Sequence, residues 1–380
     1  MTSSKLIGLM GGGGTGSELI EKVLPCFSAI EDLYNVKFEF LRFDDEKWRT
    51  AAEIEEWHEP FFDAMCNFYE QVKDCGGCIL RGAVQAPVLY KAREQVKHTY
   101  KINPVKGIPE LADLTRFSAQ ALDGLEMLLV RQNTFGMFHC DGEYDHQGNA
   151  IAQVTYKKAD VEQLADYSFE LAADGCLTLA MPTRKLGTVG ALWEQVFAEK
   201  AAAYSTVNYC RMEPCIEDIG HYIRTHNNAG SEYGSYDLPM KKYNVIVGPE
   251  LFMDYMMDDI IWMVHGEPSI ACSANFSADG FSSFQTVHGT VTPIADKDIV
   301  NPIAMVHAVA MCLKYHCHLP EAGKSLELAV RRALAAGYRT PDIHRSNSSY
   351  HKVGTKAMVE KIIDELKTLA IQNEPVAVIS

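Results

Sequence analysis

The stretch from Tyr243 to Gly266, YNVIVGPELFMDYMMDDIIWMVHG, constrains the fold more than any other segment of the chain. Tyr243 to Val247 is a short apolar, β-branched run, and Gly248-Pro249 breaks it. A helix-period pattern follows in which Leu251, Tyr255, Ile260 and Met263 can share a face. Strand, loop and helix in that order are one α/β unit. Asp254 and Asp258 stand four residues apart, a spacing that stacks two carboxylates about one helical turn apart. Like charges so placed repel unless a proton or a cation lies between them, and hard divalent cations take such oxygen ligands. A solvated helix face with acids near its N-terminus gives the same pattern without a metal. Met253, Met256, Met257 and Trp262 surround the acids and predict a largely buried helix, where unpaired carboxylates do not belong.

The remainder of the chain repeats the α/β alternation. Leu6 to Met10 reads as a strand running into Gly11-Gly-Gly-Gly14-Thr15-Gly16, and Glu18 to Ile30 as an amphipathic helix. Gly11, Gly13 and Gly16 satisfy a dinucleotide G-x-G-x-x-G pattern, which a loop so rich in glycine meets easily; no Lys follows Gly16, so it is not a P-loop. Val36 to Phe43 is a second strand, Ala51 to Lys73 a helix, and Cys78 to Val84 a third strand. The stretch Lys91 to Lys106 is locally basic; it suits a surface helix or a cation cluster for a small polyanion. Leu125 to Val130 is a strand with Arg131 at its end, where a ligand is met in α/β folds. Gly142 to Asp160 suggests a small β excursion. Asn301 is a candidate cap, with Pro302 opening a long apolar helix to His316.

A chain of 380 residues, 47% hydrophobic, allows one large or two medium domains. Fifty acidic against 35 basic residues give a net charge of −15, which argues against a nucleic-acid backbone or an anionic membrane as partner. No apolar run reaches the ~18 to 20 residues of a membrane span. The N-terminus MTSSKLIGLM lacks a secretory pattern and the 11 cysteines are irregularly spaced, so reduced thiols and a cytoplasmic location are expected. Cys75 and Cys78 form a C-x-x-C with no second pair at zinc spacing, and the expectation is two buried thiols at a helix-to-strand junction.

Taken together, the Gly12 to Glu18 loop, Gly82-Ala-Val-Gln-Ala-Pro87, the Arg93 segment, Arg131-Gln-Asn-Thr134, Leu251 to Asp258, His288-Gly-Thr290 and Asn301-Pro-Ile-Ala304 resemble, in order, the isocitrate and isopropylmalate dehydrogenase family of metal-dependent β-decarboxylating dehydrogenases. The resemblance implies an α/β, non-Rossmann fold of two α/β domains sharing a central sheet. A large domain of residues 1–104 and 267–380 lies on the cofactor side, and a small domain of 105–266 carries metal, substrate and dimer contacts. It implies a homodimer with shared active sites. Mg²⁺ or Mn²⁺ is then held by Asp254 and Asp258 and, across the dimer, Asp218; Arg93 and Arg131 clamp the carboxylates of a small anionic hydroxy acid. NAD or NADP lies against His288, Gly289, Thr290 and Asn301, which makes the early glycines a supporting loop. The implied reaction oxidises a 2-hydroxy acid of malate, isocitrate or isopropylmalate type, with decarboxylation.

The sequence departs from that pattern at positions that carry chemistry. The family's third substrate arginine aligns with Asn103, and Lys101 or Lys106 is left to supply charge. The proton-donating tyrosine aligns with Phe138, which leaves Tyr144 as the nearest hydroxyl, and the assisting lysine aligns with Pro182, which leaves Lys185. Pro293, Gln285 and Glu250 replace other cofactor-side residues, and Asn227 to Asp237 is an insertion. These departures predict an altered substrate. They leave open a metal-dependent lyase without net redox, or a catalytically silent or regulatory subunit.

Overall fold

The computed structural model describes residues 4–140, 142–173, 175–213, 216–225, 243–345 and 349–372, so the 227–237 insertion lies outside the described residues. The chain is mixed α/β. Its strands are β1 Ser4–Met10, β2 Lys37–Arg42, β3 Cys78–Arg81, β4 Tyr100–Lys106, β5 Glu126–Gln132, β6 Gly142–Tyr144, β7 Ala150–Ala152, β8 Cys176–Ala180, β9 Asn208–Met212, β10 Tyr243–Gly248, β11 Cys272–Phe276, β12 Ser282–Thr286, β13 Tyr338–Arg339 and β14 His351–Lys352. Two compact units divide them, residues 1–98 with 267–380, and residues 99–266.

In the first unit the strand order is β2-β1-β3-β12-β11, parallel throughout except for the β11–β12 pair. Central strands β1 and β3 are apolar almost without break, as parallel strands covered on both faces require. The order in the second unit is β4-β5-β10-β8-β9, with β4 antiparallel to β5 and the rest parallel. Parallel neighbours need a crossover connection, and helix Thr183–Ala201 supplies the one from β8 to β9. A separate antiparallel hairpin, β6 and β7, forms the expected β excursion.

Several boundaries differ from the sequence reading for local reasons. The helix expected over Ala51 to Lys73 is two helices, Asp45–Glu53 and Glu59–Asp74. Pro60 sits in the first turn of the second, where its missing N–H costs nothing, and the His58 ring accepts from the Phe61 N–H at 3.1 Å to cap it. The basic stretch is not one surface helix. It ends as a helix at Gln95 and re-enters as β4, in which Tyr100, Lys101, Ile102 and Asn103 are all buried. The helix of Asp254 buries Met253, Met256, Met257, Ile260, Ile261 and Val264, whereas Tyr255 and Trp262 are exposed, so its buried face is rotated from the expected one. Cys75 is exposed and is not one of a buried pair; Cys78 lies instead with its sulfur 3.4 Å from that of Cys312.

Candidate functional site

The second unit brings charged side chains together at the C-terminal end of β5. Arg131 on β5 is the register partner of Lys101 on β4 and of Gly248 on β10. Pro249 turns the chain from β10 directly into helix Glu250–His265, so this helix starts beside Arg131. Arg131 is fully buried, its Nη1 donates to the Asp254 carboxylate, and its guanidinium stands 5.2 Å from the centre of the Phe138 ring. Asp258 follows one turn later. Burial and the neighbouring charge of Asp254 push its carboxyl above the usual range, while Lys101 and Arg131 act in the opposite direction. The two acids therefore share a helix face, and each meets a cation of its own unit.

Asn103, two residues beyond Lys101 on β4, shares its face of the sheet. It is 1% exposed, and neither its amide nitrogen nor its amide oxygen has a partner among the described residues. A buried polar group left so costs roughly 1–3 kcal/mol, which is the mark of a position completed by something outside the chain.

The other candidates of this unit lie apart in character. Asp218 is in helix Ile216–Thr225, which packs on helix Glu250–His265. Among the described residues no group of three or more His, Cys, Asp or Glu side chains could hold a metal ion, so Asp218 does not complete a three-acid set with Asp254 and Asp258 within the chain. Tyr144 is 79% exposed on β6. Lys185 is exposed in the first turn of helix Thr183–Ala201.

Glu250, expected as a departure on the cofactor side, organises this corner. The carboxylate is fully buried and accepts from Gln132 Nε2 at 2.7 Å, from the Tyr156 hydroxyl at 2.9 Å and from the Met137 N–H. Gln132 Oε1 in turn accepts from the N–H groups of Thr134 and Phe135. Glu250 thus fixes the loop that sets Phe138 beneath Arg131. Its spacing from Asp254, four residues, was the available signal.

The first unit carries the cofactor-side candidates and Arg93. The glycine loop is closed by its own chain. Gly11 and Gly12 donate to the Asp45 carboxylate at 2.7 and 3.0 Å, Gly14 donates to Glu53 at 2.7 Å, Gly13 to the Ala83 carbonyl, Thr15 to the Thr290 carbonyl and Gly16 to the Gly13 carbonyl. No N–H from Gly11 to Gly16 is left for a phosphate, as expected of a supporting loop. Thr290 is buried against it, and the Glu18 carboxylate accepts the N–H groups of Asp296 and Asp298 at 2.7 and 3.1 Å, fixing the segment after His288 to Pro293. His288 donates from Nδ1 to the carbonyl of the exposed Gly289 at 2.9 Å, its Nε2 has no partner among the described residues, and burial lowers its pKa. Asn301 is occupied: its Nδ2 donates to Ser269 at 3.3 Å and Asp342 at 3.0 Å, and its Oδ1 accepts the Ile303 N–H at 3.0 Å, in the manner of the expected cap. Arg93, on helix Ala86–Gln95, is buried with its guanidinium 5.5 Å from the Tyr90 ring centre.

No helix among the described residues is long and apolar enough to cross a membrane. Residues 6–362 match the family model for isocitrate/isopropylmalate dehydrogenase. A 3-isopropylmalate dehydrogenase of Aquifex aeolicus is 26% identical over 385 residues, covering 96% of this chain and 97% of that protein. One from Staphylococcus aureus is 25% identical, covering 87% and 92%. Among solved structures, an isocitrate dehydrogenase from Methylococcus capsulatus superposes with a TM-score of 0.73 over 96% of this chain and 99% of its own, at 20% identity, a likeness of fold alone. With the family model spanning nearly the whole chain, the protein belongs to the isocitrate/isopropylmalate dehydrogenase family.

Proposed function

We propose that the protein is an NAD- or NADP-dependent, divalent-metal-dependent dehydrogenase of a small anionic 2-hydroxy acid, acting as a homodimer with shared active sites. The observation that carries this reading is the Asp254–Asp258 pair beside buried Arg131 and the Asn103 amide, which has no partner among the described residues. Two oxygen donors one turn apart suit Mg²⁺ or Mn²⁺ as half of a ligand set, and Asp218 of the partner subunit would add the third acid. When bound, the metal supplies Lewis-acid polarisation of the hydroxyl and its carboxylate, and the nicotinamide accepts hydride.

The chain's own residues bind and orient. Arg131 meets one carboxylate with a planar fork held by Phe138 and by the Glu250 loop, and Arg93 meets another. Asn103 offers a neutral donor and acceptor where a guanidinium would demand a charge, which points to an acid altered at that end. His288, Gly289 and Thr290 would hold the cofactor's adenosine, with Asn301 capping the helix that follows. Lys185 and Tyr144 are the groups available for proton transfer.

A second reading draws on Phe138, which has no proton to give, and on the exposure of Tyr144 and Lys185. It is a metal-dependent lyase without net redox, or a silent subunit. Thermal-shift titration with NAD and NADP, each with and without Mn²⁺, separates them. Saturating ligand near 100 times Kd stabilises by about 2.7 kcal/mol, a rise of a few degrees for a chain of this size. A rise with a dinucleotide supports the dehydrogenase; a rise with Mn²⁺ alone favours the lyase, and no rise with either favours the silent subunit.

A further inference from the structure

Arg81 closes β3 at the end of the apolar run Cys78-Ile-Leu and is 3% exposed. Its Nη1 donates to the Gly82 carbonyl at 2.9 Å, its Nε has no partner among the described residues, and the Tyr69 phenol stands beside it. No carboxylate among the described residues forms an ion pair with it. Arg93, 5% exposed, acts on the same two groups as Arg81, namely Tyr69 and His98. His98 stacks on Phe281 at 5.0 Å, and burial together with the two guanidiniums holds it neutral. The acid that acts on His98, Asp279, is already bound to Lys73 at 2.6 Å. The first unit therefore buries two guanidiniums around a neutral imidazole and a phenol, and Arg81 has no counter-charge of its own. Burying a cation without one is costly, and an arriving anion relieves that cost.

We propose that Arg81, with Arg93 and the Tyr69 hydroxyl, takes a carboxylate of the ligand, which makes Arg81 a specificity-determining residue for a doubly charged acid. This rests on the hydroxy-acid reading above and deepens it. The planar forks of Arg81 and Arg93 suit a carboxylate, and the Tyr69 phenol, whose pKa burial raises, stays protonated and donates a third hydrogen bond.

The test is the thermal midpoint of the full-length protein titrated with sodium malonate and, separately, with inorganic phosphate. Ionic strength is held constant with chloride, and neither metal nor dinucleotide is present. The wild-type midpoint is expected to rise saturably with malonate. Arg81→Met should abolish the rise, and Arg81→Lys, which keeps the charge but not the fork, should weaken the apparent affinity at least roughly tenfold. No rise in the wild type, or an undiminished rise in Arg81→Met, overturns the proposal. Should Arg81→Met not fold, an undiminished rise in Arg81→Lys overturns it equally, and a rise with phosphate but not malonate overturns the carboxylate assignment. Because the assay needs no turnover, an Arg81-dependent malonate response stands even where NAD, NADP and Mn²⁺ all fail to bind.

Discussion

The glycine loop of the first unit and the Arg131 corner of the second are both rich in polar groups, and they use them in opposite ways. In the loop, every N–H from Gly11 to Gly16 has an acceptor from the chain itself, two of them supplied by Asp45 and one by Glu53. At the corner, neither polar atom of the Asn103 amide has a partner among the described residues, and burial, with the charge of Asp254, pushes the Asp258 carboxyl up against the opposing pull of Lys101 and Arg131. A closed set of hydrogen bonds is architecture, whereas an open one awaits a ligand. The G-x-G-x-x-G match falls in the closed region.

The largest expected effect breaks the closed region. Gly14 has φ of +54°, and a Cβ there would overlap the Thr290 carbonyl oxygen, a backbone atom that cannot step aside. Gly14→Ala should lower stability by about 2 kcal/mol or more, read as a drop in the denaturant midpoint. An unchanged midpoint would mean that the loop is not packed as described. The opposite sign is expected in the open region. Asn103→Leu replaces an unsatisfied amide by an apolar group of similar size, and should leave stability unchanged or raise it by roughly 1 kcal/mol while weakening hydroxy-acid binding. A clear loss of stability would show that Asn103 is structural.

A smaller effect concerns pH. His98 is buried neutral, its pKa pushed down to about 3 from an ordinary 6.5, chiefly by burial and then by Arg93 and Arg81. Since the folded state binds this proton less readily than the unfolded chain, the contribution is fully present above pH 6.5 and is lost as pH falls from there toward 3. Acid unfolding followed by circular dichroism should begin at lower pH in His98→Gln than in the wild type. Coincident curves would contradict a neutral buried His98.

Much of the architecture was legible because parallel α/β folds write long apolar strands and capped helices into sequence. The Asp254–Asp258 pair and Arg131 at a strand end were legible for the same reason. The surface-helix alternative for the basic stretch fails because charge dominates its composition, while the buried pattern of Tyr100, Lys101, Ile102 and Asn103 is set by β5 far along the chain. Asp45 and Glu53 reach the glycine amides from 33 to 39 residues away, and no local pattern announces such a contact. Glu250 was hidden because its partners, Gln132, Met137 and Tyr156, come from a distant segment. Arg81 left a faint trace, a lone cation at the end of an apolar strand.

On the proposed function, Asp254 and Asp258 form half of a metal site rather than a solvated helix face. The most direct measurement is a calorimetric titration of Mn²⁺ into the wild type and into Asp254→Asn, Asp258→Asn and Asp218→Asn. One Mn²⁺ per chain in the wild type, with affinity falling by roughly tenfold or more in each of the three variants, is the predicted result. Wild-type binding that survives unchanged in Asp254→Asn and Asp258→Asn, or no binding at all, would contradict it.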